Sequence, residues 1–213
     1  MARVDPGRVP LRRPVRRPVN RPAIRRRRAT DLDGCVAALA EVHRVDGYPL
    51  NWPADPHRWL REPHPARAWV AVDADAAVVG HVAVHRISGQ VDGRPTSEVA
   101  RLFVVPRARG LALGSALLNR SRQWADKRAT DLVLELAGDG TAAAALYERA
   151  GWRCVGTSTA PWTAPDGSPV SLRHYALRHR APGPDVAPAS TARRRASRPA
   201  ASRSSGGSST SIS

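Results

Sequence analysis

The chain has 213 residues and a formal charge of +16, and Lys127 is its single lysine among 34 basic residues. Such arginine-for-lysine usage beside abundant Ala, Pro and Gly is the imprint of a GC-rich coding sequence, and no aromatics interleave with the arginines at the ends for base stacking, which argues against a sequence-selective nucleic-acid protein. No apolar run approaches the ~20 residues that span a bilayer, and Cys35 and Cys154 stand in no metal or redox spacing, so buried thiols are expected. Residues 1–22 carry seven arginines, five prolines and a single acid, Asp5, with no apolar periodicity. They are expected to be a disordered tail, because they cannot bury enough surface to offset the entropy of ordering. The arginines have no apolar stretch behind them, so no secretory leader is expected and the cytoplasm is the expected compartment. A folded domain is expected over 23–180, opening with a strand at 23–28. A helix capped by Thr30 or Asp31 follows to about Arg44, its buried face running through Val36, Leu39, Ala40, Val42 and His43. Asp46-Gly47-Tyr48-Pro49 breaks it, and a proline-punctuated loop leads to a short helix at 57–62. Strands are expected at 68–72 and 78–87, then a turn over 88–95 and a strand at 98–105. Helix 110–127 follows, with Leu113, Leu117, Leu118, Trp124 and Ala125 on its core stripe. Next come a strand at 131–136, an alanine-rich helix at 141–150 stopped by Gly151, and the run Trp152-Arg153-Cys154-Val155-Gly156. A loop holding Pro161-Trp162 and Asp166-Gly167 leads to a last strand at 170–177. Residues 181–213, rich in Ser, Pro and Arg, are expected to be a second disordered tail.

One junction carries the chemistry. Leu102-Phe103-Val104-Val105 ends at a basic, glycine-bearing turn that opens into a helix, so that free N–H groups, the helix dipole, Arg107 and Arg109 form a cradle for an anion. The run Arg109-Gly110-Leu111-Ala112-Leu113-Gly114 resembles the coenzyme A pyrophosphate loop of the GCN5-related N-acetyltransferases, with Ala112 where that family usually has a glycine. The register Arg107-x-x-Gly110-x-Ala112 also fits, less well. Thirty residues on, Leu146-Tyr147-Glu148-Arg149-Ala150-Gly151-Trp152 is similar to the family's second signature. The resemblance spans about 23–178 and implies an α/β (α+β mixed sheet) acetyltransferase fold in one domain.

The resemblance implies site roles residue by residue. The backbone of Leu102, Phe103 and Val104 would bond the pantetheine amides. Arg109, Gly110, Leu111, Ala112, Leu113, Gly114 and Ser115 would hold the pyrophosphate of acetyl-CoA. Tyr147 would protonate the departing thiolate, or only pack beside it. Glu135 would serve as the base through water, with Glu98 as its rival. Gly140 stands where the family often has an asparagine, and Asp139 could lean in instead. His43, His57, His81, His85 and His174 are scattered with no metal spacing, so surface or pocket-wall roles are expected for them. Tyr48, Trp52, Trp59 and Trp162 lie in loops that either line the acceptor groove or pack locally. No metal is expected. The implied activity is transfer of acetyl from acetyl-CoA to a primary amine, on a small molecule or a peptide, by direct attack in a ternary complex. Neither a specific nucleic acid nor a membrane is expected as a partner, and the protein would be a monomer or homodimer. The alternative is a catalytically degenerate acyl-CoA-binding module, with a basic arm that holds nucleic acid.

Overall fold

The structure, a computed structural model, describes residues 21–179 except His64, Asp92 and Asp139. The two expected tails, Arg21 and Pro22 aside, and the question of Asp139 therefore lie outside the described residues. The elements in chain order are β1 (Ala23–Arg26), α1 (Leu32–Asp46), α2 (Pro56–Arg61), β2 (Arg67–Val72), β3 (Val78–Val91), β4 (Arg94–Val104), α3 (Leu113–Asp126), β5 (Asp131–Ala137), α4 (Thr141–Arg149), β6 (Arg153–Thr163) and β7 (Pro169–Leu177). The strands form one seven-stranded sheet in the order β1-β2-β3-β4-β5-β7-β6. Every neighbouring pair is antiparallel except β4 and β5. This is the mixed α/β sheet expected. No helix among the described residues is long and apolar enough to cross a membrane.

Alternation along the strands sends side chains to two cores, one on each face. Val82, Val84, Val99, Leu132, Leu134 and Tyr175 meet Leu117, Leu118 and Trp124 of α3 and Tyr147 of α4. Val70, Val79, Phe103 and Val105 meet Cys35, Leu39 and Val42 of α1 and Leu60 of α2 on the other face. The stripe of α3 is the expected one. That of α1 is rotated, with Cys35 and Ala38 buried and Ala40 exposed. Burying a leucine such as Leu117 contributes about 2 kcal/mol.

Three boundaries differ from expectation. The turn expected over 88–95 is shorter, because pairing continues through Gln90–Pro95 and Val91–Arg94. Gly93, at φ +71°, supplies the left-handed residue that a tight hairpin needs. Strand β6 runs through Pro161-Trp162, where a loop was expected. It is the sheet's edge strand, where a residue without an N–H interrupts no ladder on the outer side. Helix α3 starts at Leu113, not at Gly110. Cys35 is buried and its thiol is pushed up to about 12 by desolvation, whereas Cys154 is exposed on β6, against expectation.

Candidate active site

The one parallel pair opens into a wedge. β4 and β5 are bonded at Thr96–Asp131, Ser97–Leu132 and Glu98–Val133, and no further pair joins them although β4 continues to Val104 and β5 to Ala137. The divergence coincides with an extra residue in β4. Partners on β3 step from His81 to Ala83 while those on β4 step from Phe103 to Ala100, and Arg101 sits at φ +55°. Such a bulge bends the bulged strand. Backbone groups of residues 99–104 on the β5 side thus face a cleft and remain available for a ligand's amides. Asp131 pins the closed end, accepting from Arg94 Nε and Arg178 Nη1 at 2.8 Å each and from the His179 N–H at 2.9 Å. Burial alone would raise its carboxyl, but bonds from Arg178, from the His179 backbone and ring and from Arg94 hold it well below the usual range.

The anion cradle lies beyond the open end of β4. Pro106–Ala108 form a 3-10 turn, Arg109 is extended, Gly110 has φ +78° and Ala112 has φ +57°. The Ala116 N–H bonds the Ala112 carbonyl, so the N–H groups of Leu113, Gly114 and Ser115 have no intrahelical acceptor. Leu111, Ala112 and Ser115 are exposed around them. The two arginines do not point into the cradle as free charges. Arg109 makes a bidentate pair with Asp46, with Nη1 3.0 Å from Oδ1, and Arg107 lies 2.7 Å from Glu41. Both partners are on α1, over sixty residues away in sequence. Gly114 has a second reason to be glycine, since a Cβ there would come 3.0 Å from Leu146 of α4. Gly140 is similar: a Cβ would come 2.7 Å from Leu136, so the asparagine expected by resemblance does not fit this backbone without movement of that leucine.

Ala112 is the position where the family-like glycine is missing, and its left-handed backbone costs an L-residue about 1–2 kcal/mol. Ala112→Gly is expected to stabilise the protein by about 1 kcal/mol, part of the gain being offset by glycine's greater freedom when unfolded. Chemical denaturation checks it, and a destabilised variant would show that the methyl packs to advantage.

The expected catalytic groups approach the wedge from opposite faces. Tyr147 is buried under α4, its ring centroid 5.6 Å from Tyr175 and 6.2 Å from Trp152. Desolvation, then the neighbouring Tyr175, push its phenol up to about 12, so it holds its proton at pH 7. Glu98 and Glu135 share the other face, since Glu98 pairs with Val133 and Glu135 lies two residues on. Glu98 is partly buried, and desolvation and then repulsion from Glu135 raise its carboxyl, with Arg101 opposing. Glu135 is half exposed, 3.5 Å from His174. Burial also raises the Tyr48 phenol, which feels Tyr147, Arg101 and Glu98 and so stands among these groups. Tyr48 packs edge-on against Trp59, and Asn51 donates to the Thr163 carbonyl at 2.8 Å, tying the loop after α1 to the end of β6.

Sequence reasoning missed Arg101. Its guanidinium donates to the carbonyls of Trp59 and Glu62 at 2.5 and 2.6 Å and to His85 Nε2 at 2.9 Å, and it lies 4.8 Å over the Trp59 ring. It therefore fastens α2 to the bulge that opens the wedge. An arginine inside the apolar run Val99–Val105 was the available signal. His81 and His85, expected at a surface or pocket wall, are almost wholly buried instead. Arg27 donates to His81 Nε2 at 3.0 Å and His81 Nδ1 donates to the Arg101 carbonyl at 2.9 Å, which fits a neutral imidazole.

Solved structures share this architecture. The chain superposes on an *Escherichia coli* ribosomal-protein-S18-alanine N-acetyltransferase with a TM-score of 0.60 and 18% identity, covering 78% of this chain and 99% of that one. A *Sinorhizobium meliloti* phosphinothricin acetyltransferase in complex with acetyl-CoA gives 0.61 and 18%, covering 75% and 89%. A *Brucella melitensis* ribosomal-protein-alanine N-acetyltransferase gives 0.59 and 22%, covering 73% and 99%. No curated protein matches the sequence. The model of the acetyltransferase (GNAT) family matches residues 34–152, which is more than half the chain. With its split parallel pair, its glycine-bearing loop and its helix-borne tyrosine, the chain belongs to the acetyltransferase (GNAT) family, whose members are acetyl-CoA-dependent N-acetyltransferases.

Proposed function

We propose that the protein moves acetyl from acetyl-CoA to a primary amine by direct attack in a ternary complex. The observation that carries this reading is the open backbone edge of β4 running straight into the unsatisfied N–H groups at the start of α3. Amide groups of a pantetheine arm suit the first and a pyrophosphate suits the second, so the residues present fit acetyl-CoA. The bound molecule supplies an acyl group activated as a thioester. Leu102, Phe103 and Val104 hold the arm through their backbone, and an N–H of this stretch polarises the carbonyl. Gly110, Leu111, Ala112, Leu113, Gly114 and Ser115 surround the pyrophosphate. Arg109 exchanges Asp46 for it, at small cost because exposed ion pairs contribute about 0–1 kcal/mol. Tyr147 donates its O–H to the departing sulfur. Glu135, with Glu98 beside it, receives the amine's proton, and the raised carboxyl of Glu98 suits it to share that proton. Neither cysteine fits a covalent acetyl intermediate, Cys35 lying under α1 and Cys154 on the sheet's far edge strand.

Acetyl-CoA at a hundred times its dissociation constant is expected to add about 2.7 kcal/mol of stability, a rise of several degrees in Tm for a domain this size. Amine acceptors screened against acetyl-CoA should then release free thiol. No shift at millimolar acetyl-CoA would overturn the cofactor assignment. A shift with no thiol release from any amine would overturn the transferase.

A further inference from the structure

Both arginines of the anion cradle are held by acids of α1, but they are held differently. Arg107 stands between two carboxylates, with Nη1 2.7 Å from Glu41 Oε2 and Nη2 3.9 Å from Asp73 Oδ2. Arg109 has one carboxylate, Asp46, on which both of its Nη atoms converge. Its Nη2 also reaches toward the Val104 carbonyl at 3.5 Å, and Val104 is the last residue of β4. The guanidinium therefore already stands at the open end of the wedge, where the cradle begins. Asp46 is an unfavourable residue for its place. It ends α1, before the left-handed Gly47 whose N–H bonds the His43 carbonyl, and the carbonyl end of a helix repels a carboxylate. The Arg109 and Asp46 side chains are 46% and 34% exposed, so an anion from solvent reaches the pair.

We propose that Asp46 is an internal competitor of the cofactor's pyrophosphate: its carboxylate occupies Arg109 in the free protein, yields it to acetyl-CoA, and retakes it as coenzyme A leaves. The inference rests on the reading of Arg109–Ser115 as the pyrophosphate site. A guanidinium offers one fork of N–H donors, and that fork fits a carboxylate or a phosphate equally well. The two anions therefore compete for the same donors. Exchange leaves Arg109 with as many ion pairs as before, so the net gain on binding comes from the N–H groups of Leu113, Gly114 and Ser115 and from the edge of β4. The displaced carboxylate stays tethered to α1, near enough to repel the new anion and to recapture the arginine. Asp46 thus lowers affinity for acetyl-CoA and for coenzyme A alike, and speeds release of the spent product. An exposed ion pair moves an equilibrium by up to about fivefold, which sets the size of the effect. Without Asp46, the hydrogen-bond acceptor left to Arg109 among the described residues is the Val104 carbonyl. Arg107 behaves otherwise, since Asp73 still flanks it when Glu41 is removed.

Calorimetric titration of the full chain with acetyl-CoA, coenzyme A and S-acetyl-pantetheine tests this. Asp46→Asn keeps the shape of the side chain and removes its charge. It should tighten both coenzyme A ligands about two- to fivefold, chiefly by slowing their dissociation. S-Acetyl-pantetheine, which carries no phosphate, should bind the variant and the wild type equally. Glu41→Gln should change the affinities less than Asp46→Asn does. The gain should also vanish in about 1 M salt, where charges are screened beyond about 3 Å. Equal or weaker binding of acetyl-CoA by Asp46→Asn would overturn the inference and make Asp46 a support that orients Arg109 for the ligand. A gain that extends to S-acetyl-pantetheine, or that persists in high salt, would overturn it as well, because the change would then act through the shape of the cleft. Binding of acetyl-CoA by neither chain would instead overturn the reading of the cofactor site.

Discussion

Tyr147→Phe is expected to lower kcat between about tenfold and a hundredfold while leaving KM for acetyl-CoA within about twofold. The phenol is pushed up to about 12 by burial and by Tyr175, so it keeps its proton at any working pH. A buried phenolate is equally disfavoured, so the useful contribution is a hydrogen bond to negative charge growing on the sulfur rather than a completed proton transfer. Hydrogen bonds to charged groups contribute about 1.5–3 kcal/mol, which in a barrier is the stated range. Phenylalanine keeps the ring contacts with Trp152 and Tyr175, so thermal stability should hardly change. Parallel measurement of kcat, KM and Tm checks this. An unchanged kcat would make Tyr147 a packing residue, and a matching loss of Tm would make the effect structural.

Acid is expected to unfold the protein with a midpoint near pH 4, earlier than carboxylates alone would cause. His81 and His85 are buried beside Arg27 and Arg101, and desolvation first, then these arginines, lower their imidazoles to about 3 and about 4. In the unfolded chain a histidine takes up its proton near pH 6.5. Between pH 6.5 and 4 the unfolded state therefore binds more protons, and stability falls as pH falls. Each group contributes a slope of about 1.4 kcal/mol per pH unit over that window, so the pair removes on the order of 5 kcal/mol by pH 4. That is comparable with the whole stability of a modest domain. Glu98, raised in the fold, acts weakly in the opposite sense, and Asp31 and Asp131, both lowered, lose their contributions only at still lower pH. Denaturant titrations at half-unit pH steps measure the slope directly, and a flat profile between pH 6 and 4.5 would refute the neutral burial of both rings.

Much of this was visible in residues whose neighbours along the chain determine their fate. Asp131–Ala137 alternates, Thr141–Arg149 is alanine-rich with Gly151 behind it, and β5 and α4 appear where those patterns place them. Local pattern failed where a distant partner decided. Arg107 and Arg109 looked like free phosphate ligands because Glu41 and Asp46, which hold them, are remote in sequence. Alanine carries no turn signal, so nothing announced that Ala112 would be left-handed and delay α3 to Leu113. His174 looked solitary because only the pairing of β5 with β7 brings it to Glu135. The buried state of His81 and His85 was hidden too, since it depends on arginines drawn from the residue after β1 and from the bulge.

The bulge at Arg101 makes β4 a strand whose meaning depends on counting. One added residue reverses parity: Val99 belongs to the core under α3, and four positions later Phe103, which unbroken alternation would place on that same side, belongs to the core under α1. Two halves of one strand thus obey opposite odd–even rules, joined at a single arginine. Substitutions within 99–104 would alter one contact at a time. Deletion of Arg101 would bring the rules back into step with Phe103 on its present face, and it would remove the bend that parts β4 from β5. In this segment the number of residues sets the opening of the wedge, and the identity of most side chains comes second.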